Sequence, residues 1–466
     1  MIFRRRIMAA GLRLLDTGRV SRLRNFLSGW VPVGLKERVR AGLVRHASGG
    51  ELPSVEAVQT GKKPTERWLD PNYVGCGTDC VGYPCAEFGL GETVRSWARA
   101  FAGAGYPFTV LDAGAGVPGR QQDHSIDAWL ESQPRYATGL FFVNPDLIAR
   151  VLQRWPRTGA YTIGYWLWEL ETFPCDWRSA LDMVDEVWVP TTFVRRAVMA
   201  ATSKPVTLMP MPVAFPVPHG LPRAELGLDQ SAFVFLFSFD FHSYPERKNP
   251  WAVIEAFRAA FPRNRCDVQL LIKTTNGERV SGAFTQLLAA AAEDPRILIR
   301  NGCLDRASMY ALLAAVDAYV SLHRAEGIGL GMAEAMYLGK PVVATGWSGN
   351  LDFMSPQEAR LVDFQLVPVA PGAYPHADGQ RWAEPNVGQA ARFMRELADD
   401  RVAAAALGAV AAARIRRQYA PAVCAGRAIE RLGAIAAALQ QGSVASSLSL
   451  ARGFQSTPPP SRKPSA

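Results

Sequence analysis

The chain has 466 residues, 48% of them hydrophobic and 20% charged, the balance of an ordinary globular protein and not of a disordered one. That length suits two domains. The net charge of +9 sits in one place: residues 1–50 hold eleven Lys or Arg against only Asp16 and Glu37, so residues 51–466 are neutral overall, which argues against a nucleic-acid-binding body.

Residues 1–66 read as a basic N-terminal extension. Behind Arg4-Arg5-Arg6, apolar residues recur at helical spacing: Ile7, Leu12, Leu14 and Leu15, then Leu23, Phe26, Leu27 and Trp30. Arg13 interrupts the first apolar stretch, which makes it a poor signal peptide, and no apolar run reaches the roughly 18 residues of a membrane span. A basic amphipathic segment suits peripheral contact with an anionic membrane through residues 1–45. A solvated or loosely docked extension is the alternative. The expected location is the cytoplasm, peripheral at the inner membrane on the first reading. Seven cysteines are an odd number for a disulfide framework, and Cys76, Cys80 and Cys85 match no zinc spacing. Free cysteines in a reducing compartment are expected, and no metal site.

From about residue 105 short β-rich runs alternate with helical stretches. Strands are predicted at 108–111, 139–143, 161–165, 186–190 and 206–209, with helices near 90–103, 146–154, 176–183 and 191–201. A second series follows, with strands at 233–239, 268–273, 296–300, 318–322 and 342–345 and helices near 249–261, 281–293, 305–315 and 330–338. Near-continuous apolar strands with helices between them predict parallel sheets covered on both faces. The alternation pauses at Pro210, Pro212, Pro216 and Pro218, with Pro222 just after. The expected organisation is an α/β chain of two doubly wound, Rossmann-like domains: residues 67–212, a linker at 213–230, and residues 231–385. Alanine-rich helices fill 386–440, and a Ser- and Pro-rich tail, expected to be disordered, fills 441–466. Ligands of such sheets bind beyond the carboxyl ends of the strands, so two facing domains place a site in the cleft between them.

The first half offers three features for that cleft. Gly89-Leu-Gly91-Glu92 precedes a helix carrying Arg95 and Arg99, but Val94 stands where a dinucleotide fingerprint has its third glycine, and no acidic ribose partner follows. Asn144 ends a predicted strand. Segment 164–174, Gly-Tyr-Trp-Leu-Trp-Glu-Leu-Glu-Thr-Phe-Pro, is dense in aromatics. There Trp168 could face a sugar ring and Glu169 or Glu171 its hydroxyls; core and interdomain packing is the alternative.

The second half is more specific. After the strand at 233–239 comes Asp240-Phe-His-Ser-Tyr-Pro-Glu-Arg-Lys-Asn-Pro250, with two cations, Arg247 and Lys248, at a helix start. Cations are disfavoured at a helix N-terminus, so the pair favours an anionic ligand. Lys273 ends the next strand on the same edge. Then Glu326-Gly-Ile-Gly-Leu-Gly-Met-Ala-Glu334 follows the strand at 318–322. Glycine lets backbone approach a phosphate closely, and the helix behind it offers unpaired N–H groups and a positive dipole end. Glu326 and Glu334 flank this cradle, and carboxylates suit vicinal diols because each oxygen accepts a hydrogen bond.

The Glu326-to-Glu334 spacing and the following Glu334-Ala-Met-Tyr-Leu-Gly-Lys-Pro-Val-Val-Ala-Thr-Gly resemble the signature of the retaining GT-B glycosyltransferases of family 4, the glycosyl transferases group 1. The resemblance covers most of residues 70–440 and is strongest over 232–355. It implies a nucleotide-diphosphate sugar donor, with Glu326 on the sugar hydroxyls, the backbone of Gly329, Leu330 and Gly331 on the diphosphate, and Glu334 on the ribose. Lys248 would neutralise the leaving diphosphate. The family's second cation falls at His242, so Arg247 is the expected substitute. Lys273 would meet phosphate or base, the segment 301–303 the base, and Gly89 and Gly91 the donor phosphate and acceptor. The resemblance implies transfer with retention to a glycan or lipid-linked acceptor, in surface polysaccharide synthesis, with no cofactor or metal. A related sugar-nucleotide enzyme such as an epimerase and a non-catalytic subunit or scaffold are the alternatives.

Overall fold

A computed structural model describes residues 76–114, 119–155, 161–218 and 222–440. The N-terminal extension and the last 26 residues, with the expectations placed on them, lie outside the described residues. Two six-stranded sheets dominate. The first contains β1 (Thr78–Gly82), β2 (Phe108–Asp112), β3 (Thr138–Phe141), β4 (Tyr161–Tyr165), β5 (Glu186–Val189) and β6 (Val206–Leu208), in the spatial order β2-β1-β3-β4-β5-β6. The second contains β7 (Phe233–Asp240), β8 (Val268–Thr275), β9 (Ile297–Asn301), β10 (Ala318–Ser321), β11 (Val342–Thr345) and β12 (Arg360–Val362), in the order β12-β11-β10-β7-β8-β9. Every pairing within the two sheets is parallel.

β7 shows why the pattern reads as a doubly covered strand. Phe233, Phe235, Phe237 and Phe239 pack on one face against the helices Pro250–Ala260 and Val387–Asp399, while Val234 and Leu236 enter the core on the other. Strand order reverses between β1 and β3 in the first sheet and between β7 and β10 in the second. Crevices open at such switch points, beyond the carboxyl ends of the strands.

Three elements differ from the sequence reading. β1 precedes the expected start of the first sheet and forms one of its inner strands. An antiparallel hairpin, β13 (Phe364–Pro368) and β14 (Arg381–Pro385), follows the second sheet. The alanine-rich stretch 386–440 is three helices, Val387–Asp399, Arg401–Gln418 and Pro421–Gln440, and the last two part company at Pro421. The helix Arg401–Gln418 packs on the helix Leu330–Tyr337 of the second domain. The last crosses back to the first domain, where Cys424, Ala428, Leu432 and Ile435 join the core beneath the helix Gly89–Gly103. There Arg431 meets the fully buried Glu186 of β5 at 2.7 Å, a charge pair that ties the last helix to the first sheet. Among the described residues no helix is long and apolar enough to cross a membrane.

Candidate functional site

The two switch points face each other across a cleft. A cavity of about 250 Å³ lies on the second-domain side, lined by residues from the carboxyl ends of β7, β8 and β10 and by the first turn of the helix Leu330–Tyr337. Gly329 caps that helix with φ +86°, in the left-handed region, and a Cβ there would lie 2.3 Å from the Met332 Cε. A Cβ on Gly331 would lie 2.7 Å from the Tyr319 hydroxyl. Glycine at both positions keeps the helix start open to the cavity, and the first N–H groups of a helix have no partner within it.

Glu326 and Glu334 both line this cavity and both are buried. The Lys248 ammonium donates to Glu326 Oε1, and Arg247 Nη1 lies 3.3 Å from its Oε2. The Glu326 N–H donates to the Ser348 hydroxyl at 2.8 Å, which fixes the backbone under the carboxylate. Burial pushes the Glu326 carboxyl up, but the charges of Lys248 and Arg247 outweigh it and hold it at about 2. Burial pushes Lys248 down, although Glu326 opposes this. The turn carrying these cations, Pro245–Lys248, lies between two non-glycine residues at positive φ, Tyr244 (63°) and Asn249 (56°). Such strain persists where the surroundings over-determine the backbone, as at binding sites.

Lys248 lines the cavity and Arg247 does not. The Arg247 guanidinium reaches the Ala325 carbonyl at 2.7 Å and lies 5.7 Å from the Tyr374 ring centroid. It therefore braces Glu326 Oε2 from outside the cavity lining, and the Arg324 N–H donates to the Arg247 carbonyl at 2.8 Å. His242 lines a neighbouring cavity and not this one. Lys273 lines the donor-side cavity, with its ammonium bonded to the Thr274 and Gly302 carbonyls; burial lowers it to about 8. Cys303, from the 301–303 segment, lines the same wall.

Sequence reasoning missed Arg306. It opens the helix Arg306–Ala315 behind the Asp305 cap, lines the cavity and donates to Glu334 Oε1 and, at 2.6 Å, to the Tyr310 hydroxyl. Its signal is the one that flagged Lys248, a cation at a helix N-terminus. Glu92, from the first domain, was read only as part of a glycine motif; it too is buried and lines the cavity.

The first-domain candidates separate. Gly89 lines the cavity, and a Cβ there would meet nothing within 4 Å. Gly91 does not line it; a Cβ would lie 2.0 Å from the Ala86 carbonyl, so this glycine is required by the folding of its own loop. Asn144 precedes the helix Pro145–Arg154 without a side-chain capping bond and lines the neighbouring cavity of about 340 Å³, which sits at the first-sheet switch point and shares Gly89 and Asp240 with the donor side. Trp168 and Glu169 line neither cavity. Trp168 is 2% exposed, its indole N–H donates to the Thr172 carbonyl at 2.9 Å, and its backbone lies against Gly327. Glu169 accepts from the Tyr374 hydroxyl at 2.7 Å, from the opposite domain. The aromatic block thus buttresses the Glu326 loop: Trp168 is committed to interdomain packing, which corrects its reading as a sugar-facing ring, while Glu169 is half-buried and Glu171 is exposed 3.7 Å from Arg381. Among the described residues one group could hold a metal ion, Cys85, His124 and Asp127, with ligand atoms within 4.8 Å of one another; the three lie outside the donor-side lining.

Comparison with known proteins agrees with this geometry. The family described as "Glycosyl transferases group 1" matches residues 232–372, which span Lys248, Glu326 and Glu334. No curated protein matches the chain in sequence. Among solved structures, Alr3699/HepE of Anabaena, in complex with UDP and glucose, superimposes with a TM-score of 0.59 at 14% identity, over 77% of this chain and 100% of that one. Sucrose-phosphate synthase (tll1590) of Thermosynechococcus elongatus gives 0.56 at 17% identity, over 77% and 100%. A glycosyltransferase from Rickettsia africae gives 0.55 at 12% identity, over 78% and 99%. The chain has the GT-B fold of two facing Rossmann-like domains, and residues 232–372 of its second domain match the group 1 glycosyl transferase model.

Proposed function

We propose that the chain is a retaining glycosyltransferase that moves a hexose from a nucleotide-diphosphate sugar to a glycan or lipid-linked acceptor, in the synthesis of surface polysaccharide. The observation that carries this reading is the grouping of Glu326, Glu334 and Lys248 around the open start of one helix, in one cavity. The order along that wall supports a division of labour: sugar hydroxyls at Glu326, diphosphate at the Leu330 and Gly331 N–H groups, ribose at Glu334. HepE binds UDP-glucose in its solved complex, which supports a donor of this class here.

In the proposed reaction the C–O bond between the sugar and the diphosphate breaks while the acceptor hydroxyl attacks from the same face. Negative charge develops on the departing diphosphate oxygen, and stabilising it is the main catalytic contribution. Lys248 and the helix N-terminus lie where that charge forms, and Arg247 holds Glu326 in place as Lys248 turns from the carboxylate to the phosphate. The departing oxygen takes the acceptor proton, so the reading needs no separate protein base. It needs no metal either, because Lys248 and the N–H groups carry the charge. The location proposed is the cytoplasmic side of the inner membrane, with residues 1–45 as the contact.

The test is turnover of a panel of nucleotide sugars, with the product's anomeric configuration read by NMR and with EDTA in a parallel reaction. The donor's anomeric configuration is expected in the product at an unchanged rate under chelation. An inverted product removes the retaining mechanism, and loss of activity with EDTA removes the metal-free one.

A further inference from the structure

The cleft contains a charged cluster of which the proposed reaction uses only Glu334. Arg306 and Glu334 belong to the second domain, Glu92 to the first. Arg306 Nη2 holds Glu334 Oε1, and Arg306 Nε lies 3.4 Å from Glu92 Oε2. The two carboxylates are nearly closed off from solvent, with 6% and 7% of their side-chain surface exposed. Glu92 is fixed from its own side: Arg95 Nη2 meets Oε2 at 3.0 Å and Arg99 Nη1 meets Oε1 at 3.1 Å. The Arg95 guanidinium in turn holds the Pro84 and Ala86 carbonyls at 2.8 Å, so Glu92 is anchored to the loop that forms the first-domain wall. Arg306 is also tied to the connector between the domains. It donates to the Tyr310 hydroxyl, and the Tyr310 ring stacks on Phe215 at 3.6 Å between centroids, with 3° between planes. Phe215 lies in the proline-rich segment that joins the two sheets.

We propose that Arg306 is the positioning residue that couples nucleotide binding at Glu334 to closure of the cleft, by holding Glu334 of the second domain against Glu92 of the first. The inference rests on the reading that Glu334 faces the donor nucleotide. Glu92 and Glu334 repel across the interface in low dielectric, Arg95 and Arg99 offset the Glu92 charge only from its own side, and Arg306 is the guanidinium that lies against both carboxylates and draws them together. With Arg306 in place the closed cleft is favoured. One Glu334 oxygen is taken by Arg306, which leaves the other for a hydroxyl of the ligand. A ligand that needs both walls binds in proportion to the closed fraction, so its apparent affinity follows the state of this bridge. Arg306 touches no reacting atom on this account; it acts through Glu334 and Glu92.

The test combines calorimetric titration of the full chain with UDP, GDP and ADP and hydrogen exchange of the two walls, residues 84–92 and 324–331. In the wild type one of these nucleotides binds and both walls become protected. Arg306→Ala is expected to weaken that binding about tenfold or more and to speed exchange in both walls, with or without nucleotide. Glu92→Gln placed on Arg306→Ala removes one of the two repelling charges, and it is expected to restore binding to within about threefold of the wild type and the protection with it. Arg306→Lys keeps the charge but loses the fork, and falls between. A packing role for the arginine would leave the double variant no better than the single one. That result, or wild-type affinity in Arg306→Ala, overturns the proposal while leaving the donor reading intact. Failure of the wild type to bind any nucleoside diphosphate overturns the donor reading and this proposal together. Circular dichroism of each variant separates loss of closure from loss of fold, and Arg306→Lys keeps the test decisive if Arg306→Ala does not fold.

Discussion

The two walls of the cleft are built differently. The second-domain wall is charged and pre-ordered: Glu326 is held by Lys248 and Arg247, Glu334 by Arg306, and the helix start between them is kept bare by Gly329 and Gly331. The first-domain wall meets it with one fixed charge, Glu92 held by Arg95 and Arg99, and is otherwise shaped by backbone, with Gly89 open to the cavity, Gly91 tucked under the Ala86 carbonyl behind it, and Asn144 on the neighbouring cavity. A diphosphate has one chemistry and rewards fixed charges. An acceptor is met by shape and by hydroxyl partners that vary from one substrate to the next. The contrast explains why one wall announces its ligand and the other does not.

The largest effect is expected from breaking the charged wall. Lys248→Ala should lower kcat by about 10²- to 10³-fold, as loss of one group that stabilises developing charge does. It should also leave the buried Glu326 with Arg247 alone of its two cationic partners, at a stability cost of up to about 3 kcal/mol. Adding Glu326→Gln should recover the stability, read by urea unfolding, and none of the turnover. The pH dependence carries the same signature. The Glu326 carboxyl is held at about 2 in the folded chain against an ordinary 4.5, so its stabilising contribution is complete above about 4.5 and is lost as pH falls towards 2. In Lys248→Ala the larger of the two opposing charges is gone and Arg247 remains, so the acid limb of the stability profile should move to higher pH.

The backbone-built wall should respond to shape. Gly91→Ala forces a methyl group into the Ala86 carbonyl and should lower stability by about 2–3 kcal/mol, whereas Gly89→Ala meets open space and should change it by less than about 0.5 kcal/mol. Equal effects at the two positions, measured by thermal unfolding, would remove the distinction drawn between them.

The smallest effect belongs to Lys273, at the edge of the charged wall. Its ammonium loses its proton as pH rises through about 8. Nucleotide affinity should therefore decline by a few-fold on that limb, on the order of one surface charge contact. Lys273→Met should bind at the weakened level throughout and show a shallower decline. An unchanged limb in this variant would place Lys273 outside the binding field.

The second sheet was legible because its strands are apolar on both faces, and β7 with alternating Phe and aliphatic residues is the clearest example. β1 was not, because Thr78 and Asp79 read as polar. In the structure Asp79 is buried yet satisfied, accepting from the Thr109 hydroxyl at 2.6 Å and from the Arg135 and Tyr136 N–H groups, contacts that no local pattern predicts. The site divides in the same way. Glu326, Gly329, Gly331 and Glu334 lie in one nine-residue run whose spacing is visible along the chain. Arg306, 28 residues away, is brought to Glu334 by the folding of the second domain, and Glu92 only by the packing of one domain on the other. The aromatic block 164–174 showed the opposite error: rings that suit a sugar surface equally suit an interface, and only burial separates the two.

The central claim, sugar at Glu326 and nucleotide at Glu334, is tested most directly by calorimetry of Glu326→Gln and Glu334→Gln with a nucleotide sugar and with the matching nucleoside diphosphate. The account predicts that Glu326→Gln binds the diphosphate at least as tightly as the wild type, since Lys248 is released to it, but loses the extra affinity that the sugar confers, while Glu334→Gln weakens both ligands. Two variants that bind both ligands as the wild type does would contradict it.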